Sequence, residues 1–268
     1  MRTVSILKFV KRFRLIIEAE EIYSDVTNNK KKRKKEIDFF SIADAFLFPS
    51  ELMDEHINKE KKPSAIIYGT YRVEYDRNLT FDRMGTEERI IHCVYAGTFD
   101  PQKGGALAAV ATAGFLPCNY HIHIIGFGTD LEKQRLQDEI TGVSGKEGAR
   151  VTFDGLLSGE EYIRFLQSCD IGLSTQNPNA EFNNSSFPSK ILSYMANGLR
   201  VVSVRIPAVE RSKIGGSVYY YEKHDPRDIA KAILNVDLQD EYDGRKIIAQ
   251  LDCAFSEEIG QFLGKTCG

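Results

Sequence analysis

The chain has 268 residues, which is enough for two domains that each bury a hydrophobic core. Charged residues make up 27% and hydrophobic residues 42% of the sequence, as in an ordinary globular protein, and a net charge of −3 gives no reason to expect nucleic acid as a partner. The five cysteines are scattered and form no CxxC pair, which argues against a disulfide framework and favours a reducing, cytoplasmic compartment.

The first 70 residues predict a partial domain of three short strands with helices between them. Residues 4–13 favour a helix, and the basic residues in this stretch exclude a signal peptide and a membrane span. Strands are predicted at residues 14–19, 45–48 and 64–68, and helices at residues 36–44 and from an N-cap at Ser50 to Ile57. The basic run from Lys30 to Lys35 breaks this pattern and is interpreted as a solvated loop, with contact to an anionic lipid surface as the alternative.

A second alternation of strands and helices follows a polar, aperiodic stretch at residues 71–88, which we interpret as an interdomain connection. Residues 89–240 form the larger predicted domain, and residues 241–268 a C-terminal helical segment. The strands of the larger domain are predicted at residues 90–96, 121–125, 150–153, 171–174, 201–204 and 218–221, and its helices near residues 104–115, 129–141, 159–168, 188–197 and 226–235. Such alternation predicts a parallel, doubly wound sheet, whose ligands bind beyond the carboxyl ends of the strands.

Two segments suit a phosphate group. The loop from Gly97 to Gly105 leaves a strand and opens a helix, so that backbone N–H groups and Lys103 would face an anion; a plain strand-to-helix turn is the alternative. In the second segment Pro188 precedes a helix that carries Lys190 in its first turn and ends at Gly198. A capped core helix with no ligand is the alternative there.

Taken in order, these segments resemble the retaining family-4 glycosyltransferases of the GT-B fold, in particular the capsule and cell-wall polysaccharide type. Many members of that family read F-P-S-K before E-Y-M, and this chain has Phe187-Pro-Ser-Lys190 before Ser193-Tyr-Met. The resemblance covers about residues 90–222. It continues in the family's G-R-L-x-x-x-K-G, I-G-x-G, F-x-G-x-V, E-E-Y and A-D-I-x-L motifs, matched by Gly97 to Gly105, Ile124-Ile-Gly-Phe-Gly128, Phe153-Asp-Gly-Leu156, Glu160-Glu-Tyr162 and Cys169-Asp-Ile-Gly-Leu173.

The N-terminal part resembles the same family more loosely. Glu36, Ala43-Asp-Ala45 and Pro49-Ser50 resemble the segment near the end of its acceptor domain, and Glu20 falls at the position of a histidine that lies close to the donor sugar. A strand end with solvated carboxylates is the alternative for Glu20. The resemblance therefore implies an α/β protein with two Rossmann-like domains and parallel sheets, of which the N-terminal one is incomplete.

The resemblance also assigns residues to a nucleotide-diphosphate sugar. It assigns three residues to binding of the diphosphate (Lys103, Gly104 and Lys190), four to binding of the sugar (Ser185, Ser186, Phe187 and Pro188) and three to binding of the ribose and base (Ser193, Phe127 and Leu156). The chain departs from the family in having Thr98 for the arginine of the phosphate loop, and Ser185 and Ser193 for the two glutamates of the E-x7-E stretch. No metal and no other cofactor is expected, since the family transfers sugars without a metal and the five histidines show no ligand spacing.

The expected function is transfer of a sugar to a saccharide or lipid-linked acceptor with retention of configuration, in the cytoplasm or peripherally at the inner face of the membrane. Two alternatives remain open: a donor-binding subunit that is inactive or depends on a partner, and a nucleotide-sugar epimerase of the GT-B fold. Self-association or a partner subunit is expected because a short parallel sheet exposes an edge strand.

Overall fold

A computed structural model describes residues 2–26, 29–75, 89–101, 105–143, 148–184 and 186–267. The strands are β1 (Ile16–Glu18), β2 (Ala45–Phe48), β3 (Ser64–Ile66), β4 (Ile91–Thr98), β5 (Tyr120–Phe127), β6 (Arg150–Gly155), β7 (Ile171–Ser174), β8 (Arg200–Val204) and β9 (Tyr219–Tyr221). The helices are α1 (Arg2–Lys11), α2 (Tyr23–Val26), α3 (Lys30–Phe40), α4 (Glu51–Ile57), α5 (Gly105–Thr112), α6 (Asp130–Val143), α7 (Gly159–Gln167), α8 (Lys190–Ala196), α9 (Pro207–Glu210), α10 (Pro226–Leu234) and α11 (Gly244–Cys267).

The strands form two parallel sheets. The N-terminal sheet has the order β1-β2-β3, and the second has the order β6-β5-β4-β7-β8-β9. When its strands are numbered from β4 onwards, the second sheet has the order 3-2-1-4-5-6, which is that of a doubly wound dinucleotide-binding sheet. The strand order reverses between β4 and β7, although the two strands are parallel. The predicted parallel sheets are confirmed.

Most predicted elements are also confirmed, because β-branched runs and helix caps act locally. The strands predicted at residues 45–48 and 171–174 have those bounds, and the hydroxyl of Ser50 accepts a hydrogen bond from the N–H of Met53, 3.2 Å away, at the start of α4. Helix α8 ends in a Schellman motif, in which Leu199 N–H donates to Tyr194 C=O and Gly198, with φ of +88°, donates to Met195 C=O.

The loop predicted for the basic run is wrong, because Lys30 to Lys35 make up the first half of α3. Asn29 caps this helix by accepting a hydrogen bond from the N–H of Lys32, 3.3 Å away. Lysine is itself a good helix former, and the carboxylate of Glu36 on α3 accepts hydrogen bonds from two backbone N–H groups of α2. These contacts stabilise a helix whose sequence pattern suggested a break.

Helix α11 connects the two sheets. Phe262, near its end, is buried against Ala45 of β2 and Ala65 of β3, and the ring of Phe255 lies 6.0 Å from that of Tyr71. Its first half packs on α8, beside the six-stranded sheet. The helix therefore holds the N-terminal sheet against the larger unit.

Tyr194 is fully buried, and its hydroxyl lies between β4 and β7. The hydroxyl accepts a hydrogen bond from Ala96 N–H at 2.8 Å and donates one to Leu173 C=O at 3.3 Å. The pairing of the two strands stops at Val94 and Gly172, so Ala96 N–H and Leu173 C=O are the groups that the next ladder bond would join. Tyr194 thus separates β4 and β7 at their carboxyl ends, at the point where the strand order of the sheet reverses.

Replacing Tyr194 by phenylalanine is expected to lower the free energy of unfolding by about 1–3 kcal/mol, because it leaves a buried N–H and a buried C=O without partners. Chemical denaturation of the two proteins measures this difference. The matched control is Tyr162→Phe, which removes a half-buried hydroxyl that lies 3.3 Å from Ser193 Oγ. Equal stability of wild type and Tyr194→Phe would show that the strands close once the hydroxyl is gone.

Candidate functional site

The carboxyl ends of β4 and β5 approach each other closely at two glycines. A Cβ atom placed on Gly126 would lie 1.8 Å from the carbonyl oxygen of Gly97, and both residues have positive φ angles, +142° and +156°. Only glycine avoids this clash, which is the reason for the I-G-x-G pattern. The result is a floor of bare backbone at the edge where a doubly wound sheet binds its ligands.

The two segments that suited a phosphate group meet above this floor. The ammonium of Lys190 lies 4.1 Å from the centroid of the Tyr95 ring and 3.0 Å from the point where Gly97 would carry a Cβ atom. Gly105, the first residue of α5, packs against the same ring, since a Cβ atom on Gly105 would lie 2.5 Å from Cε2 of Tyr95. Tyr95 thus brings together two segments that are 85 residues apart in sequence, counting from Gly105 to Lys190.

Tyr95 is buried, and its hydroxyl donates a hydrogen bond to Thr98 C=O at 2.8 Å. Burial, helped by the carboxylate of Asp100, raises the pKa of Tyr95, so the phenol remains protonated. Its ring face is therefore a neutral support for the Lys190 ammonium, which is held by a cation–π contact beside the end of β4. Sequence reasoning missed this residue because a tyrosine in the middle of a buried strand carries no distinguishing pattern.

The remaining donor residues are placed as follows. Lys103, Gly104 and Ser185 lie outside the described residues. Phe127 is the last residue of β5 and Leu156 follows the neighbouring strand β6, and both are exposed at the carboxyl edge, at 58% and 67%. Ser193 lies one helical turn beyond Lys190 on α8, and its hydroxyl lies 3.3 Å from that of Tyr162.

A cavity of 630 Å³ lies between the two sheets. Its walls are the ends of β1 and β2 with the residues that follow them, the segment that follows β3, three residues of the larger unit (Ser186, Phe187 and Ser189), and two side chains of α11. Glu20 lines it together with Ser186 and Phe187, so the structure brings these three predicted residues to one place. The position of Glu20 follows from β1, since the carboxyl ends of the N-terminal strands face this cavity.

The three predicted sugar residues within the described chain are partly occupied with structural contacts. Ser186 Oγ donates a hydrogen bond to Phe182 C=O at 2.8 Å, which leaves the hydroxyl oxygen able to accept. Phe187 is buried, and its ring lies 5.0 Å from that of Tyr68 across the two units. Pro188 is half-buried beside it.

The cavity is acidic. Four carboxylates line it: those of Glu18, Glu20, Glu21 and Asp252. None of the described residues that line it is a lysine or an arginine. Carboxylates accept hydrogen bonds from hydroxyl groups and repel anions, so this cavity suits a neutral, hydroxyl-rich ligand. Asp252 was missed from the sequence because α11 brings it back from the far end of the chain.

A second polar cluster lies on the six-stranded sheet, towards the amino ends of β4 and β5. His92, His121 and His123 each offer a ring nitrogen, and these three atoms lie within 4.8 Å of one another. Burial, reinforced by the positive charge of Arg150, lowers the pKa of His121 to about 4, and burial also lowers the pKa of His92. The two rings are therefore neutral at neutral pH. Sequence spacing did not reveal the cluster, because it depends on the pairing of β4 with β5.

Comparison with solved structures confirms the GT-B architecture of two Rossmann-like units with parallel sheets. HepE of Anabaena, solved in complex with UDP, has a TM-score of 0.69 and 15% identity over 98% of this chain and 74% of its own. A glycosyltransferase of Rickettsia africae has a TM-score of 0.63 and 14% identity over 98% of this chain and 79% of its own. The lipopolysaccharide outer core galactosyltransferase WaaB in its apo form has a TM-score of 0.59 and 14% identity over 98% and 78%.

No helix in the described ranges is both long and apolar enough to span a bilayer.

Two sequence comparisons bear on the family of this chain. A search of curated proteins found no match. The family model described as "Glycosyl transferases group 1" matches residues 91–237, which include β4 to β9 and every residue assigned to the donor. The chain therefore belongs to the group 1 glycosyl transferases.

Proposed function

We propose that this glycosyltransferase is a retaining family-4 enzyme that binds a nucleotide-diphosphate sugar at the carboxyl edge of β4 and β5. The observation that carries the proposal is the Lys190 ammonium, held by Tyr95 next to the bare backbone of Gly97. A fixed positive charge beside backbone N–H groups stabilises the negative charge that develops on a leaving diphosphate. Lys103 and Gly104, which belong to the adjoining loop, are assigned to the same diphosphate.

The donor is proposed to extend from this edge in both directions. Its base would lie against the exposed side chains of Phe127 and Leu156, and its ribose near Ser193. Its sugar would point towards Ser185, Ser186 and the cavity between the sheets. Because HepE has been solved with UDP and with UDP-glucose, uridine diphosphate sugars are the first donors to test.

The acceptor is proposed to be a neutral saccharide group bound in the acidic cavity. Four carboxylates can accept hydrogen bonds from its hydroxyl groups, whereas they would repel a pyrophosphate placed in the same volume. A lipid-linked acceptor would thus enter with its sugar end, leaving the phosphate groups outside. The resemblance to the capsule and cell-wall type supports such a polysaccharide as the product.

A screen of thermal stability against nucleotide-diphosphate sugars tests the donor. A ligand at about 100 times its dissociation constant adds about 2.7 kcal/mol to stability, which raises the melting temperature measurably. Incubation of the stabilising donor with neutral saccharides, followed by NMR of the product, then reports transfer and the configuration of the anomeric carbon. An isomerised nucleotide sugar would instead identify an epimerase, and binding without any product would identify a donor-binding subunit.

A peripheral membrane contact is proposed for the N-terminal unit. Ile6, Phe9 and Val10 form an exposed apolar stripe on α1, at 62%, 86% and 64%, and the lysines at positions 31, 32, 34 and 35 of α3 are exposed. An exposed apolar stripe and an exposed basic helix in the same unit suit an anionic bilayer surface.

The protein is expected to bind vesicles that contain anionic lipid and not vesicles of neutral lipid. Lys31→Glu combined with Lys35→Glu should reduce the binding, since each lysine contributes about 1 kcal/mol near an anionic surface. Co-sedimentation with vesicles of both compositions measures it, with Lys246→Glu on α11 as the control. Binding that is insensitive to the two α3 substitutions would contradict the proposal.

A further inference from the structure

Five polar residues of β4, β5 and β6 lie on one face of the six-stranded sheet. His92 pairs with His121, and His123 pairs with Thr152, so these side chains point to the same side. The register of β5 and β6 shifts after Ile124, and Asp154 is the additional residue of this bulge. Bulges re-aim side chains, and here the carboxylate of Asp154 is turned towards His123.

Hydrogen bonds determine which ring nitrogens carry a proton. His123 Nδ1 lies 3.0 Å from Asp154 Oδ2, and Thr152 Oγ1 donates its single proton to the same oxygen at 2.8 Å. Since the carboxylate only accepts, His123 Nδ1 is the donor, and in the neutral ring the lone pair is on Nε2. Because the hydroxyl proton of Thr152 is engaged with Asp154, its Oγ1 accepts a hydrogen bond from His121 Nε2 at 3.0 Å. The lone pair of His121 is therefore on Nδ1.

His92 completes the cluster from β4. Its Nδ1 lies 2.9 Å from His123 Nε2 and donates a hydrogen bond to that lone pair; an ion bound here would replace this proton, which His92 Nε2 can carry instead. The rings of His121 and His123 have centroids 3.8 Å apart. Metal-ligating histidines characteristically donate their other ring N–H to a carboxylate or hydroxyl, which fixes the tautomer and the ring orientation. His123 with Asp154, and His121 with Thr152, have this arrangement already in place.

We propose that His92, His121 and His123 form a binding site for a divalent transition-metal ion of the zinc type. Imidazole nitrogens suit Zn²⁺, Cu²⁺ and Ni²⁺, and three of them with one open position for water make a four-coordinate site. With bonds of about 2.0–2.1 Å at tetrahedral angles, two nitrogens on one ion lie about 3.3–3.4 Å apart. The three nitrogens lie within 4.8 Å of one another, so side-chain rotations that bring them closer by at most about 1.5 Å would close the site on an ion.

This site is separate from the donor site. His123 precedes Phe127 by four residues of one strand, which is about 13 Å at the rise of a parallel strand. The bound ion would join β4 to β5 on the face where Phe165 of α7 packs against the ring of His123, with centroids 5.2 Å apart. The ion would therefore take no part in the proposed sugar transfer, which uses no metal. It revises the expectation, made from spacing alone, that the histidines form no metal site.

Titration of the full chain, stripped with chelator and freed of any purification tag, tests the site. Zn²⁺ in competition with a chromogenic chelator is expected to bind in a ratio of one ion per chain, and Co²⁺ to give the visible absorption of a histidine-bound ion. His92→Gln and His121→Gln should abolish both signals. Asp154→Asn, which keeps all three ligands, should lower the affinity about 10–100-fold.

The matched controls are His56→Gln and His224→Gln, which replace the two histidines outside the cluster and should bind the metal as wild type does. Lys190→Ala should also retain the metal, so that failure of the donor site cannot be mistaken for failure of this one. Circular dichroism checks that the cluster variants remain folded. Absence of binding by the wild type, or unchanged affinity in Asp154→Asn and both ligand variants, would overturn the proposal.

Discussion

Lys190→Ala is expected to weaken the binding of UDP by about 1.5–3 kcal/mol, the value of a hydrogen bond to a charged group, and to leave the binding of uridine nearly unchanged. The ammonium lies beside Gly97, where the diphosphate is proposed to sit. Isothermal titration of both ligands into wild type and variant measures the difference. Lys103→Ala should have an effect of the same kind, because Lys103 is assigned to the same diphosphate.

The substitution also removes the contact with Tyr95, and a second variant separates the two effects. Lys190→Met retains an unbranched side chain over the ring but has no charge, so it should lose affinity for UDP as the alanine variant does while keeping more of the stability. Equal losses for UDP and uridine would mean that Lys190 only supports the fold. In that case the helix would be a capped core helix, as its buried residues allow.

The sequence predicted the elements because their signals are local. Residues 45–48 are a run of apolar residues between turn signals, and Ser50 is a helix cap within one turn of the groups that it binds. The basic run shows where local reasoning fails. Six consecutive cationic side chains suggested a break, yet the Asn29 cap and the contacts of Glu36 with α2 keep the helix.

The site could be predicted from the sequence only in part. Motifs identified the Gly97 loop and Lys190 separately, but their meeting depends on Tyr95, which packs against both. Asp252 reaches the cavity through the course of α11, and His92 reaches His123 through the pairing of β4 with β5. Contacts of this kind depend on strand register and on the position of a helix, and neither can be predicted from the spacing of residues in one sequence.

The charges of the two halves of the cleft are complementary to the two halves of the proposed reaction. Lys190 is fixed where the diphosphate is proposed to leave, and carboxylates surround the volume where a saccharide hydroxyl is proposed to enter. The diphosphate of the proposed donor would therefore be held on the larger unit and repelled by the acidic cavity, into which only its neutral sugar would reach. This separation gives the order of the ligands along the cleft without further assumptions about the acceptor.

Glu20→Gln is expected to lower sugar transfer about 100-fold and to leave the affinity for the donor unchanged, a magnitude typical of losing one acid–base or charge-stabilising group. Glu20 lines the cavity together with Ser186 and falls where the resembling family has a histidine close to the donor sugar. A carboxylate there stabilises positive charge that develops on the sugar ring, and the glutamine, of the same shape, cannot. Turnover at saturating donor and acceptor, beside a titration of the donor alone, measures both quantities.

Two neighbouring residues provide the controls for this prediction. Glu18→Gln and Glu21→Gln remove one negative charge each from the same cavity, so they test whether the overall charge or the position of Glu20 matters. We expect each of them to change the Michaelis constant for the acceptor more than the turnover number. If all three variants lost turnover equally, the cavity would act through its summed charge, and the assignment of a specific role to Glu20 would be wrong.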